Sequence, residues 1–249
     1  MTSVFIRNFT FTALPAAGLN DQPLFHGILA KCDFDVNGYR DELFAVYGIA
    51  FPGSLQKAVA KRRAEYLAGR FVARQVLNML EVRDYPLANG IDRAPLWPTG
   101  LIGSISHNNQ RALCTAQIIT PAGEPTETNF RRHGVGLDIE SLIPVERAAN
   151  LWPGILSEEE HYCFQDSPLP FNQLLTLAFS AKESLFKAIY PQLGRYFDFL
   201  EAKLLSYSLD TGYFELQLLR ELSDDFPAGR CFTGCFTLND NDVQTFIAY

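Results

Sequence analysis

No apolar run in the sequence approaches the roughly 20 residues that a membrane-spanning helix needs, so no membrane partner is expected. Basic residues are also in short supply: 21 Lys and Arg stand against 28 Asp and Glu, for a formal net charge of −7. Nucleic-acid and membrane-surface binders present a basic face, so neither class is expected, though a local basic pocket remains compatible with the count. The standard phosphate cradles are missing too. There is no Gly-x-x-x-x-Gly-Lys-Ser/Thr loop and no Gly-x-Gly-x-x-Gly turn, so any phosphate held here must be held mainly by side chains. A Gly-x-Ser-x-Gly nucleophile elbow is absent as well. The five cysteines (32, 114, 163, 231 and 235) are odd in number and scattered, and Cys231-x-x-x-Cys235 has no partner ligands at zinc-site spacing. All five are expected to be free thiols in a reducing cytoplasm. The N-terminal Met1-Thr-Ser-Val-Phe-Ile-Arg-Asn8 lacks the charged-then-apolar layout of a signal peptide. In a chain that is not secreted, the Asn8-Phe-Thr10 sequon has no consequence.

What is present is the composition of an ordinary globular protein, 47% hydrophobic and 20% charged over 249 residues. That length buries one large core or two of about 120 residues each. Residues 1–50 are aromatic-rich and weakly periodic, as short strands and loops are. From Val59 to Leu80 the apolar positions Ala60, Ala64, Leu67, Phe71 and Ala68, Val72, Val76, Met79 recur at helical spacing. Arg63, Arg70 and Arg74 form a second stripe with Arg62 beside it. These arginines read either as a solvated basic face or as a phosphate-binding edge, because guanidinium forks match phosphate oxygens. Leu101-Ile-Gly-Ser-Ile-Ser-His107 reads as a strand ending at a polar mouth, paired with Ala112–Ile119, which puts Ser106, His107 and Asn108 at a surface turn. Turn formers dominate 120–133, the expected boundary between two halves, 1–125 and 126–249. Ser157-Glu-Glu-Glu160 reads as a capped helix start. Leu174–Tyr190 reads as a long helix stopping at Pro191, and 200–220 and 231–248 alternate like half-buried strands. Each half thus pairs a long helix with several strands, an α+β chain.

The sharpest chemical signal is a set of three carboxylates. Gly134-Val-Gly-Leu-Asp-Ile-Glu140 alternates as a strand does, so Asp138 and Glu140 project from one face while Leu137 and Ile139 point the other way. Two carboxylates so close repel unless a cation or proton lies between them. The helix Phe179-Ser-Ala-Lys-Glu-Ser-Leu-Phe-Lys187 offers a third, Glu183, flanked by Lys182 and Lys187. Carboxylates without a Cys or His cluster suit a hard, oxygen-loving ion such as Mg2+. Blander readings stand beside this one. Ser180-x-x-Glu183 fits a capping box, and Glu183 with Lys187 fits a helical ion pair worth a few tenths of a kcal/mol. A serine hydrolase built on Ser106 and His107 is disfavoured, because adjacent strand residues face opposite ways.

Five short motifs in order resemble the 4'-phosphopantetheinyl transferases of the larger, two-halved type, and the enterobactin-type branch most. They are Ala60-Lys-Arg-Arg-Ala-Glu-Tyr-Leu-Ala-Gly-Arg70, Arg93-Ala-Pro-Leu-Trp-Pro98, Gly103-Ser-Ile-Ser-His107, Gly136-Leu-Asp-Ile-Glu140 and Phe179–Lys187. The resemblance implies a pseudo-symmetric two-half α+β monomer, each half a long helix on a small, mainly antiparallel sheet, with substrate in the cleft between them. It implies transfer of the phosphopantetheine arm of coenzyme A to a serine of an apo acyl or peptidyl carrier protein, releasing adenosine 3',5'-bisphosphate. It assigns Mg2+ to Asp138, Glu140 and Glu183, with a carbonyl from Ile139. His107 with Ser106 would take the 3'-phosphate. Arg62, Arg70 and Arg93 would hold the phosphates and the adenosine end, with Arg74 a looser match, while Lys182 and Lys187 face the diphosphate. Glu183 would act as base and Lys187 on the leaving phosphate. Docking of an acidic carrier is expected near Tyr190–Phe199, with Tyr196 and Phe197 as contacts. The alternative reading is a non-catalytic coenzyme A or nucleotide-binding module.

Overall fold

The computed structural model describes residues 4–13, 25–119 and 133–249. Its described residues group into two compact units, one of residues 4–13 and 26–119 and one of Phe25 with residues 133–249. The expected boundary stretch, 120–133, falls almost wholly outside the described residues.

The first unit is a four-stranded antiparallel sheet in the order β1-β2-β4-β3, with β1 Ile6–Ala13, β2 Ile28–Phe34, β3 Leu101–His107 and β4 Arg111–Ile118. After a short helix α1 (Leu43–Val46), helix α2 (Ala60–Met79) packs on β4, β2 and β3. Its apolar stripe, Ala64, Leu67, Ala68, Val72 and Val76, is fully buried against Ala30, Cys32, Ala112, Cys114 and Ala116 of the sheet. Burial of that continuous stripe, rather than any side-chain cap at Val59, holds the helix in place. Two of the motifs meet structurally here. A Cβ on Gly103 of β3 would lie 2.5 Å from the indole of Trp97, so the ring of the Pro-rich connector lies directly over the strand.

The second unit is a five-stranded antiparallel sheet in the order β5-β9-β8-β7-β6. The strands are β5 Val135–Ser141, β6 Ala202–Ser208, β7 Tyr213–Leu218, β8 Cys231–Leu238 and β9 Asp242–Ala248. Helices α3 (Val145–Leu151) and α4 (Glu158–Phe164) lead into the long α5, Phe171–Leu193. Ser157 caps α4 in the expected capping box with Glu160. Pro191, however, does not stop α5. It sits within the last turn, and the helix ends at Gly194, whose φ of 66° is the left-handed conformation that glycine adopts freely. A proline this close to a C-terminus removes one N–H bond and leaves the rest of the helix intact.

Helix α5 lies across β5 and β9. The contact is so close at Gly136 that an added Cβ would meet the Ser184 carbonyl oxygen at 1.7 Å. Only glycine permits that approach. Because residues two apart share a strand face, Asp138 and Glu140 also look toward the helix. Leu137 and Ile139 are buried on the opposite face, as their alternation predicts.

Candidate active site

In the second unit Lys187 pairs directly with Asp138, and the charges of Glu140 and Glu183 act on the same ammonium. Lys187 Nζ donates to Asp138 Oδ1 at 2.6 Å and to the Leu137 carbonyl at 3.3 Å. On α5, Glu183 lies one turn before Lys187 and therefore on the same side. Asp138 is 2% exposed. Burial, then Asp138 beside it, pushes Glu140 up to about 8, against the pull of Lys187. Burial also raises Glu183 above the usual carboxylate range, again opposed by Lys187. Burial works against the charge of Lys187 itself, but Asp138, Glu183 and Glu140 together hold it above an ordinary lysine.

Three carboxylates around one ammonium leave a deficit of positive charge, and the donors are all hard oxygens. That donor set fits a divalent cation of the Mg2+ kind. Among the described residues, no three His, Cys, Asp or Glu groups are already drawn together as a metal cage. The ammonium of Lys187 is the cation that Asp138 holds. The helical pair expected between Glu183 and Lys187 thus yields to a shorter contact across to the strand. Ser180 is no cap either, since it lies inside α5 and donates to Asp138 Oδ2 at 2.8 Å.

Lys182 corrects an expectation. It does not face the carboxylates or any open surface, being 1% exposed and paired at 3.0 Å with Glu160 of α4. It also donates to the Ile155 carbonyl at 2.7 Å. Residues one apart on a helix diverge by about 100°, so Lys182 and Glu183 cannot share a face. Burial lowers the Lys182 pKa despite Glu160, and Glu160 is fixed further by the Leu204 and Ser157 amides. The pair is a clasp between α4, α5 and β6. The side chain of Ile139 lies in the core, leaving only its carbonyl for any part in a metal site.

In the first unit a separate cluster forms at the mouth of β3. Arg62 Nη1 lies 2.9 Å from His107 Nε2, and the Glu65 carboxylate lies 3.5 Å from Arg62 and 4.0 Å from His107 Nδ1. Lys61 adds a further cation 3.9 Å from Glu65. With Arg62 donating to Nε2, the ring proton belongs on Nδ1, toward Glu65. Glu65 was missed in the sequence; its position three residues after Arg62 was the signal that could have found it. Ser106 departs from the surface turn expected of it. It is 5% exposed, on the face of β3 opposite to His107, whose half-buried ring turns toward Arg62 and Glu65 of α2. Their opposite orientation removes the serine–histidine hydrolase arrangement.

The other arginines of α2 are divided in use. Arg63 ties the helix to Asp41 at 2.6 Å and to the Leu55 and Gln56 carbonyls. Arg74 donates to the Tyr47 and Gly48 carbonyls. Arg70 is also a correction to an open phosphate edge. It is 8% exposed, bonded to Asn89, with its guanidinium 4.7 Å over the Tyr66 ring and its Nε without a partner. Neither the solvated face nor the phosphate edge therefore describes the whole stripe. Arg93 stands exposed on a turn at φ 71°, its amide bonded to the Gly90 carbonyl.

Comparison with known proteins agrees with this arrangement of parts. A model of the 4'-phosphopantetheinyl transferase N-terminal domain matches residues 51–117, and one of the 4'-phosphopantetheinyl transferase superfamily matches residues 134–225. The first match spans α2 and the His107 mouth, and the second spans β5 and α5. Enterobactin synthase component D of Salmonella typhimurium is 39% identical over 156 residues, 63% of this chain and 59% of that protein. The Escherichia coli K12 protein of the same name is 37% identical over 154 residues, 62% of this chain and 66% of its own length. The 4'-phosphopantetheinyl transferase Npt of Nocardia iowensis is 29% identical over 206 residues, 78% of this chain and 86% of that protein. The matches to the enterobactin relatives thus span about three fifths to two thirds of their length. Two successive family models, each spanning one of the residue clusters, place the chain in the 4'-phosphopantetheinyl transferase family.

Proposed function

We propose that this chain transfers the 4'-phosphopantetheine group of coenzyme A to a serine of an apo acyl or peptidyl carrier protein, with Mg2+ and with release of adenosine 3',5'-bisphosphate. The observation that supports the reading is the buried Asp138–Lys187 ion pair at 2.6 Å, with the charges of Glu140 and Glu183 acting on the same ammonium, in a chain of this family. Asp138, Glu140 and Glu183, with the Ile139 carbonyl, would hold the metal. Mg2+ would neutralise charge on the diphosphate, which is the main electrostatic need of such a transfer.

The chain's own residues supply the rest. Glu183, its pKa raised by burial, suits a base that takes the proton of the attacking serine hydroxyl. The serine oxygen forms a bond to the β-phosphorus as the bond from that phosphorus to the bridging oxygen breaks, and the electron pair leaves with the nucleotide. Lys187, held cationic by three carboxylates, stabilises that leaving phosphate. In the other unit, Arg62 and His107 would take the 3'-phosphate, with Glu65 orienting them, while Ser106 is buried on the other face of β3. Arg93 reaches solvent and can add to the phosphate contacts. Arg70 and Lys182, being buried, serve as positioning groups instead. We infer that the chain acts as a monomer in the cytoplasm.

Incubation with coenzyme A, Mg2+ and an apo carrier protein tests the proposal. Transfer adds about 340 Da to the carrier, read by intact mass. Coenzyme A binding without mass gain across fatty-acid, polyketide and peptide-synthetase carriers would leave a binding module instead.

A further inference from the structure

Behind Asp138 lies a buried set of hydroxyls that no part of the reading above uses. The register of β5 and β9 sets Thr245 directly opposite Asp138 on the same sheet face. On α5, Ser180 and Ser184 are one turn apart and lie over that pair. All three hydroxyl residues are essentially inaccessible, at 0% for the serines and 1% for Thr245. Ser184 Oγ lies 2.7 Å from Thr245 Oγ1, Thr245 Oγ1 lies 2.9 Å from Ser180 Oγ, and Ser180 Oγ lies 2.8 Å from Asp138 Oδ2. Thr245 Oγ1 is also 2.8 Å from the Ser180 carbonyl, and Ser184 Oγ 3.1 Å from the Thr245 carbonyl.

Each hydroxyl has one proton to give. Ser180 gives its proton to Asp138 Oδ2. The single proton of Thr245 goes to the Ser180 carbonyl, so Thr245 ties down the Ser180 backbone while its Oγ1 packs against Ser180 Oγ, and Ser184 ties to Thr245 from the next turn. The cluster is anchored on backbone carbonyls at one end and on a carboxylate oxygen of Asp138 at the other. Hydroxyls in such a cluster polarise one another and are costly to leave half satisfied. One oxygen of Asp138 is thereby fixed from beneath, which turns Oδ1 toward Lys187 at 2.6 Å.

We propose that Ser180 and Thr245 are positioning residues that hold the Asp138 carboxylate in the orientation needed to bind the divalent ion; this rests on the metal reading given above. Groups that orient a ligand in this way typically change metal affinity by about 10- to 100-fold when removed. The test measures Mn2+ binding to the full chain by the electron paramagnetic resonance of free Mn2+, for the unsubstituted protein, Ser180→Ala, Thr245→Val and Thr245→Ser. Denaturant midpoints are recorded alongside. Ser180→Ala and Thr245→Val are expected to weaken Mn2+ binding about 10- to 100-fold, and to raise the metal concentration for half-maximal transfer more than they lower kcat. Thr245→Ser, which keeps the hydroxyl, should restore affinity. Should Ser180→Ala fail to fold, Thr245→Val and its serine rescue decide alone. Unchanged Mn2+ affinity in the folded variants, with only lower denaturant midpoints, would overturn the positioning role and leave the metal reading standing. No Mn2+ binding by the unsubstituted protein would overturn the metal reading, and this inference with it.

Discussion

At the scale of single residues, the site is governed by the number of negative charges that one ammonium must neutralise. Glu183→Gln keeps the shape of the side chain and removes the base. It is expected to cut transfer by about 100- to 10,000-fold while coenzyme A binding survives in a calorimetric titration. Retained activity would remove Glu183 from that role. Glu140 makes a second prediction, in which the sign matters. Its folded pKa of about 8 lies above the ordinary 4.5, so the folded chain keeps a proton that the unfolded chain releases. Between those values stability falls as pH rises, and the cost is complete above about 8. The denaturant midpoint of the metal-free protein should drop between pH 5 and 9 by more than that of Glu140→Gln, a difference that added Mg2+ should reduce.

At the scale of elements, the close approach of α5 to β5 is what brings Glu183 and Lys187 to Asp138. Gly136 permits it, and the clasp between Lys182 and Glu160 fixes the other side of the same helix. Removing one member of that clasp leaves a buried charge, so Lys182→Met alone should destabilise by about 3–5 kcal/mol. The double change Lys182→Met with Glu160→Leu leaves no charge buried and should recover much of that loss in urea denaturation. An equal loss in single and double variants would show that the pair does not act as a unit.

At the scale of the whole molecule, a chain of net charge −7 would gain nothing from long-range attraction to the acidic carrier of the proposed reaction, so docking there would rest on local contacts. The aromatic stretch after α5 divides sharply in this respect. Tyr196 is 68% exposed and leans on Phe186 with ring centres 5.1 Å apart, whereas Phe197 is 5% exposed in the core of the unit. Of the two docking contacts expected from the sequence, only Tyr196 stands at the surface. Tyr196→Ala is expected to raise the carrier KM several-fold with the midpoint of unfolding unchanged. Phe197→Ala should instead cost about 3–5 kcal/mol of stability. An unaltered KM in Tyr196→Ala would place carrier docking elsewhere.

Much of this was determined by sequence alone. The period of the apolar residues marked α2 and most of α5, and alternation marked β5 and the strands after it. The same alternation put Asp138 and Glu140 on one face. These are local properties, set by 3.6- and 2-residue repeats that any reader of the chain can count. Partner choice was not local. Whether Lys187 answers Glu183 or Asp138 depends on a helix meeting a strand 49 residues away in the chain. Whether Lys182 faces a phosphate or Glu160 depends on which side of α5 is covered. Arg62 and Arg70 differ by two helical turns and look alike in the sequence, yet one stands beside His107 and the other lies under Asn89. A charged side chain's role is set by what desolvates it and what opposes its charge, and both come from residues distant in the chain. Only the tertiary structure could decide them.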